Sequence, residues 1–136
     1  MQVEFYIPGR AIPKARPRVT RGGYAYTPRT TQIFERTTQI EYRKQCGDSF
    51  FAEGTPLVVN IEFRFEPPKS WPKKKRDAAI RRKIYPTSRP DLDNLIKSIT
   101  DALNGVAYKD DSQIVAVVSR KMFAPRSNSI VRITSI

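Results

Sequence analysis

Five of the chain's 13 acidic residues fall between residues 90 and 113, and all five are aspartates: Asp91, Asp93, Asp101, Asp110 and Asp111. Only Lys97 and Lys109 oppose them in that stretch. The chain as a whole leans the other way, with 25 Lys plus Arg in 136 residues and a formal net charge of +12. An excess of cations on this scale suits a polyanion, nucleic acid being the simplest, because Lys and Arg displace condensed counterions from phosphates. A carboxylate cluster inside a phosphate-binding chain needs a reason. A divalent cation supplies one, since it lets carboxylates and phosphates share a site without repulsion.

The spacing of the aspartates supports that chemistry. If residues 90–92 are extended and a helix begins near Asp93, the side chains of Asp91 and Asp93 point the same way. Asp93 then also gains from the helix dipole. Asp111, at the end of a turn leading into a strand, is expected to converge with them, giving an octahedral Mg²⁺ or Mn²⁺ site completed by water and phosphate oxygens. Phosphodiester hydrolysis needs a hydroxide-like nucleophile, an electrophile and a stabilised leaving oxygen, all of which metal ions can supply. Lys97, one helical turn beyond Asp93, could orient the water, hold the scissile phosphate or neutralise the transition state. The same residues allow a plainer reading. Asp93, Lys97 and Asp101 could be a solvated helix face, worth about 0.2–0.5 kcal/mol per pair. Asp91 or Asp93 could be only an N-cap, and Asp110-Asp111 only a turn.

Composition excludes several other chemistries. There is no histidine, which removes imidazole acid–base catalysis, His-based triads and Cys/His zinc sites. A single cysteine, Cys46, cannot form an intramolecular disulfide. The first ten residues, MQVEFYIPGR, lack a signal-peptide pattern, and no apolar run approaches about 18 residues. The expectation is a single-domain, soluble, cytoplasmic protein over residues 1–136, with no membrane partner and no organic cofactor.

Several elements must position the aspartates. Residues 3–7 read as a first strand closed by Pro8-Gly9, followed by a loop or irregular hairpin rich in Pro and Gly (Pro13, Pro17, Gly22, Gly23). A helix is expected from Thr27-Pro28 to about Gly47, with Ile33, Phe34, Thr37 and Ile40 on its inner stripe. Residues 57–65 alternate apolar and polar, the period of a half-buried strand. Ser70-Trp71-Pro72 looks like the cap of a basic helix, KKKRDAAIRRK. Leu92, Leu95, Ile96, Ile99, Ala102 and Leu103 mark a better specified helix, stopped by Asn104-Gly105. A strand at residues 114–122 and a hairpin turn into a last strand at 130–136 complete a β-α-β-α-α-β-β order. The fold class expected is α+β, with one mixed sheet and packed helices.

The run RPDLDNLIKSITDALNGVAYKDDSQIV, residues 89–115, closely resembles the signature of the RusA family of Holliday-junction resolvases, prophage-encoded members among them. The matching elements are Asp91, Asp93, Asn94, Leu95 and Lys97; then Asp101, Ala102 and Leu103; then Tyr108; then Asp110, Asp111 and Gln113. The N-terminal KARPRVTRGGYAYTPRTT is also similar to the basic, Gly-interrupted segment of many relatives. The resemblance implies a compact α+β homodimer and a Mg²⁺- or Mn²⁺-dependent endodeoxyribonuclease. Such an enzyme cuts four-way DNA junctions by paired symmetric nicks during recombination and repair. By resemblance, the catalytic and metal-binding carboxylates are Asp91, Asp93 and Asp111, and the catalytic lysine is Lys97. Asp101 matches a position read as helix-face support ahead of metal ligation.

Lys14, Arg16, Arg18, Arg21 and Arg29 are assigned to the DNA backbone, as are Lys73, Lys74, Lys75, Arg76, Arg81 and Arg82; such contacts position rather than specify. Tyr24 and Tyr26 could stack on unpaired bases or pack on a sheet edge. Phe50, Phe51 and Trp71 are candidates for a dimer surface, with core or local-cap roles the stronger expectation. Two alternatives to a junction nuclease stand beside it. One is a non-catalytic nucleic-acid-binding protein; the other is a structure-specific nuclease acting on other branched DNA or RNA.

Overall fold

A computed structural model describes residues 1–16 and 18–136; Pro17, expected in the N-terminal loop, lies outside the described residues. Strand β1 (Gln2–Pro8) alternates buried Val3, Phe5 and Ile7 with exposed neighbours. The loop beyond it forms a small hairpin, β2 (Arg18–Val19) with β3 (Ala25–Tyr26). Helix α1 (Arg29–Cys46) begins just after Pro28 and stops at Gly47, whose φ of 65° suits a residue without Cβ. Strand β4 (Leu57–Phe65) buries every odd-numbered residue, as its period of two requires. Helices α2 (Lys73–Ile80) and α3 (Leu92–Ala102) lead through a single 3-10 turn (Asp111–Gln113) to β5 (Ile114–Phe123) and β6 (Asn128–Ser135).

The main sheet has the order β1-β6-β4-β5, with β5 parallel to β4 and β6 antiparallel to both β1 and β4. The hairpin expected between the last two strands does not form. Parallel strands need a crossover, and α2 and α3 provide it between β4 and β5. The connection after β5 then passes over the end of β4. Ala124 N donates to Phe65 O at 2.9 Å, and Glu66 N donates to Ser127 Oγ at 2.9 Å. Strand β6 thereby becomes a central strand, with Val131 and Ile133 fully buried, and β5 an edge strand.

Helix α1 packs on β1 and α3, but of the expected stripe only Phe34 is buried. Its buried residues are Thr31, Phe34, Thr38 and Tyr42, while Ile33 and Ile40 are each 54% exposed. Polar side chains can occupy that inner face because their hydrogen bonds are met locally. Thr38 Oγ1 donates to Phe34 O at 2.9 Å, and Tyr42 donates to Ser49 O at 2.7 Å while its ring meets Phe5 edge-on at 5.3 Å. Helix α2 is shorter than expected, and Pro72 precedes it with no side-chain cap. It is held by buried Ala79 and by Trp71, whose ring packs against Phe123 at 5.4 Å. Phe51 joins the core, whereas Phe50 stays exposed. The result is one α+β domain. Among the described residues, no helix is long and apolar enough to cross a membrane.

Candidate active site

Residues 88–90, which lead into α3, are tied to the sheet by Lys121, whose Nζ donates to Ser88 O and Pro90 O, both at 2.9 Å. Asp91 is the extended residue before the helix, with φ −71° and ψ 138°, and Leu92 is already helical. The helix therefore starts one residue earlier than expected. Asp91 is extended as expected, whereas Leu92 already belongs to the helix, so Asp93 lies in its first turn. Asp91 borders an open groove of about 650 Å³ whose other charged lining residues are Arg10, Lys14, Arg16 and Arg89. Asp93 and Lys97 are exposed farther along the helix, and Asp93 Oδ1 accepts from Asn94 N at 2.9 Å.

The other end of α3 has a different environment. Lys14 Nζ lies 2.6 Å from Glu35 Oε1 and 3.5 Å from Asp101 Oδ2, and its backbone N donates to Asn94 O at 2.8 Å. Burial pulls the Lys14 ammonium down, but the Glu35 hydrogen bond and the charges of Glu35 and Asp101 outweigh it and raise the pKa above the ordinary 10.5. Assigned from sequence to the DNA backbone, Lys14 is thus engaged within the chain, joining the N-terminal segment to α1 and α3. Asp111, at the start of the 3-10 turn, has a carboxyl raised above its usual range. Burial is the main cause, followed by the side chain of Asp101 and the charges of Asp110 and Asp101. Asp110 is held low by the Ser112 side chain and by the Ser112 backbone N–H, which donates to Asp110 Oδ2 at 3.0 Å.

This acidic turn is braced from below. Gln113 Oε1 accepts from the backbone N of Lys109 and Asp110, at 3.1 and 3.3 Å. Gln113 Nε2 donates to Ala52 O and Thr55 O, at 3.0 and 3.2 Å. Fully buried Tyr108 donates to Thr100 O at 2.7 Å, linking the turn to the end of α3. Burial, with the charges of Asp111, Asp101 and Asp110 behind it, pushes the Tyr108 phenol upward.

Asp111 therefore lies against Asp101. Among the described residues, no three His, Cys, Asp or Glu side chains gather as a metal cage. The donor chemistry nonetheless suits a hard cation. Mg²⁺ commonly takes only one or two protein carboxylates, with water and phosphate filling the rest. Two like charges held together at Asp101 and Asp111 are relieved by such an ion.

Of the remaining cations singled out in the sequence, Arg16, Arg18, Arg21 and Arg29 are exposed, as are Lys73, Lys74, Lys75, Arg81 and Arg82. Arg76 is half-buried, with Nε lacking a partner. Tyr24 and Tyr26 stand exposed on the β2–β3 hairpin. Arg10, Arg89 and Lys121 were not singled out in the sequence. Arg89 sits two residues before Asp91 and Arg10 follows the Pro8-Gly9 strand stop, which were the available signals. Lys121 carried none, because only folding brings β5 beside residues 88–90.

The profile of the family described as Endodeoxyribonuclease RusA matches residues 8–134. A protein of Lactococcus phage r1t named Crossover junction endodeoxyribonuclease rusA is 31% identical over 118 residues, covering 82% of this chain and 77% of its own. The Bacillus subtilis (strain 168) protein YqaN is 28% identical over 135 residues, 96% of this chain and 95% of its own.

Proposed function

The chain belongs to the RusA endodeoxyribonuclease family, and on that premise we propose that it is a Mg²⁺- or Mn²⁺-dependent endonuclease resolving four-way DNA junctions by paired symmetric nicks. The supporting observation is the change of sign along α3. A groove lined by Arg10, Arg16 and Arg89 reaches Asp91 at one end, and the Asp101–Asp111 carboxylate pair closes the other.

Asp91, Asp93 and Asp111 are assigned to the metal, with water and phosphate oxygens completing its ligands. When bound, the metal supplies a hydroxide-like nucleophile and a Lewis acid at the phosphoryl group. The chain's own residues do the rest. Arg10, Arg16 and Arg89 hold the strand by its phosphates, and Lys97, exposed one turn beyond Asp93, places an ammonium where charge develops on the scissile phosphate. Lys73, Lys74 and Lys75, with Arg81 and Arg82, extend the cationic track along α2. Two opposed nicks call for two sites related by a two-fold axis, hence a homodimer. Ile33 and Ile40 on α1, and Val115, Val117 and Val118 on the β5 edge, offer apolar surface for the second copy. A DNA substrate is consistent with a cytoplasmic enzyme.

The test is a synthetic four-way junction incubated with and without Mg²⁺. Cutting is expected only with the metal, and Asp91→Asn should bind the junction without cutting it. A variant that cuts like wild type overturns the carboxylate assignment. Equal cutting of the junction, a plain duplex and a structured RNA overturns the junction specificity.

A further inference from the structure

Beside the groove that reaches Asp91 lies a second hollow of about 260 Å³, and the two share Arg10, Arg89 and Pro90 as a common wall. Its lining is unusually aromatic for a surface cleft: Phe65 and Phe123 are buried, Trp71 is half-buried, and Tyr85 is 52% exposed. Two cations are seated on these rings instead of on carboxylates. Lys75 Nζ stands 4.0 Å from the Trp71 ring centroid, and Arg10 Cζ stands 4.8 Å from that of Phe65. Cation–π contacts of this kind keep a positive charge at the rim without neutralising it. Neither residue takes part in an ion pair among the described residues.

Size, lining and position together select an occupant. At about 260 Å³ the hollow is smaller than the roughly 300–1,000 Å³ of pockets for drug-sized ligands, so it has room for one heterocycle rather than an extended ligand. One face each of Trp71 and Phe65 carries a cation, and Phe65 and Phe123 are buried, so Tyr85 is the most exposed ring of the lining and the one offered for stacking. Arg10, Lys75, Arg89 and Lys121 outnumber the one carboxylate of the lining, Glu66, so the net positive rim matches a phosphodiester on either side of that heterocycle. The shared wall sets the hollow next to any strand lying in the groove at Asp91.

Resting on the nuclease reading above, we infer that this hollow is a nucleotide subsite. It takes one unpaired nucleobase from the DNA strand in the groove, stacked on Tyr85, with Arg10, Lys75 and Arg89 on the flanking phosphates. At a branch point, unpaired bases are available at low cost. Seating one of them sets the register of the strand over Asp91, so the subsite contributes both branch recognition and choice of the cutting position. Stacking reads a π-face and tolerates different bases, so any sequence preference at this position is modest.

The experiment measures binding by fluorescence anisotropy without divalent metal, on four-way junctions carrying a single abasic site walked through the nucleotides beside the crossover. One position is expected to weaken wild-type binding about fivefold to a hundredfold, the range of one base–aromatic stack. Tyr85→Ala should weaken the intact junction by the same factor and become indifferent to that abasic site, while Tyr85→Phe should behave as wild type. The exposure of Tyr85 makes its truncation compatible with folding, which thermal melting checks. Wild-type indifference to every abasic position overturns the subsite, and so does undiminished sensitivity in Tyr85→Ala. A change of oligomeric state in Tyr85→Ala, seen by sedimentation with abasic sensitivity intact, reassigns the hollow to a second copy of the chain. Cutting is scored separately with Mg²⁺. If wild type cuts no junction, the nuclease reading fails while the anisotropy result still decides the subsite.

Discussion

The N-terminal end of α3 faces a groove whose cations Arg10, Arg16 and Arg89 make no ion pair among the described residues. At its C-terminal end two carboxylates, Asp101 and Asp111, are set side by side and held there by Gln113, Tyr108 and Lys14. The first region keeps its charges free and the second keeps its charges fixed. Surface ion pairs contribute little stability, so leaving the groove cations unpaired costs the fold almost nothing and leaves them ready for phosphate. Holding like charges together does oppose folding, and such an arrangement persists where the surrounding structure compensates for it. What separates the two regions is therefore preorganisation: phosphate binding tolerates mobile side chains, whereas chemistry at a metal does not.

Asp111→Asn tests the fixed end most severely. It should lower junction cutting by about 10²–10³-fold, as loss of an electrostatic group in the reacting centre does, with junction binding retained. Gel assays of cutting and anisotropy of binding separate the two effects. Lys97→Ala should reduce turnover by about 10²-fold with little change in affinity; a purely weaker Kd would make Lys97 a phosphate clamp and move it to the mobile group. Gln113→Ala removes the brace without touching the carboxylates. A fall of about 10–100-fold in cutting, the scale seen when supports of a metal site are lost, would mark it as a positioning residue. Rescue of wild-type Mn²⁺ dependence by Gln113→Glu would show the contrary, that only local charge matters.

At the mobile end, neutralising Lys73 and Lys74 together should flatten the dependence of log K on log salt by about 0.9 for each phosphate that these lysines no longer neutralise, with cutting of bound junction unchanged. The gentlest effect concerns pH. Asp111 binds its proton more tightly folded than unfolded, so its contribution to stability falls as pH rises through the window above the ordinary 3.8. Asp111→Asn should therefore melt higher than wild type at neutral pH, by an amount that shrinks as pH drops below that window. Mg²⁺ should raise the melting temperature of wild type more than that of the variant, since only wild type has the full repulsion to relieve.

Local patterns were readable wherever they act over a few residues. The alternation in residues 57–65 matches β4 residue for residue, and Gly47 ends α1 as its position suggested. The acidic stretch in a basic chain, and the motif from Asp91 to Gln113, point to the family without any knowledge of the fold. Strand order was not readable. Nothing local distinguishes a β5–β6 hairpin from a β6 inserted between β1 and β4, because that choice depends on which faces the remaining elements cover. The inner face of α1 was read correctly only at Phe34, because hydrophobicity favoured Ile33 and Ile40, whereas packing against β1 and α3 selected Thr31, Thr38 and Tyr42 beside it.

The same division runs through the site. The sequence by itself determined which side chains are present, their charge and the family they belong to, since composition and motif spacing need no third dimension. Only the tertiary structure decided which charges meet. It turned Lys14 inward to Glu35 and Asp101, set Asp111 against Asp101, and brought Lys121 under residues 88–90. It also opened an aromatic hollow beside Asp91 from residues spread between Arg10 and Phe123. Electrostatic and packing energies depend on distance in space, and contacts between residues far apart in the chain leave no periodicity along it to read.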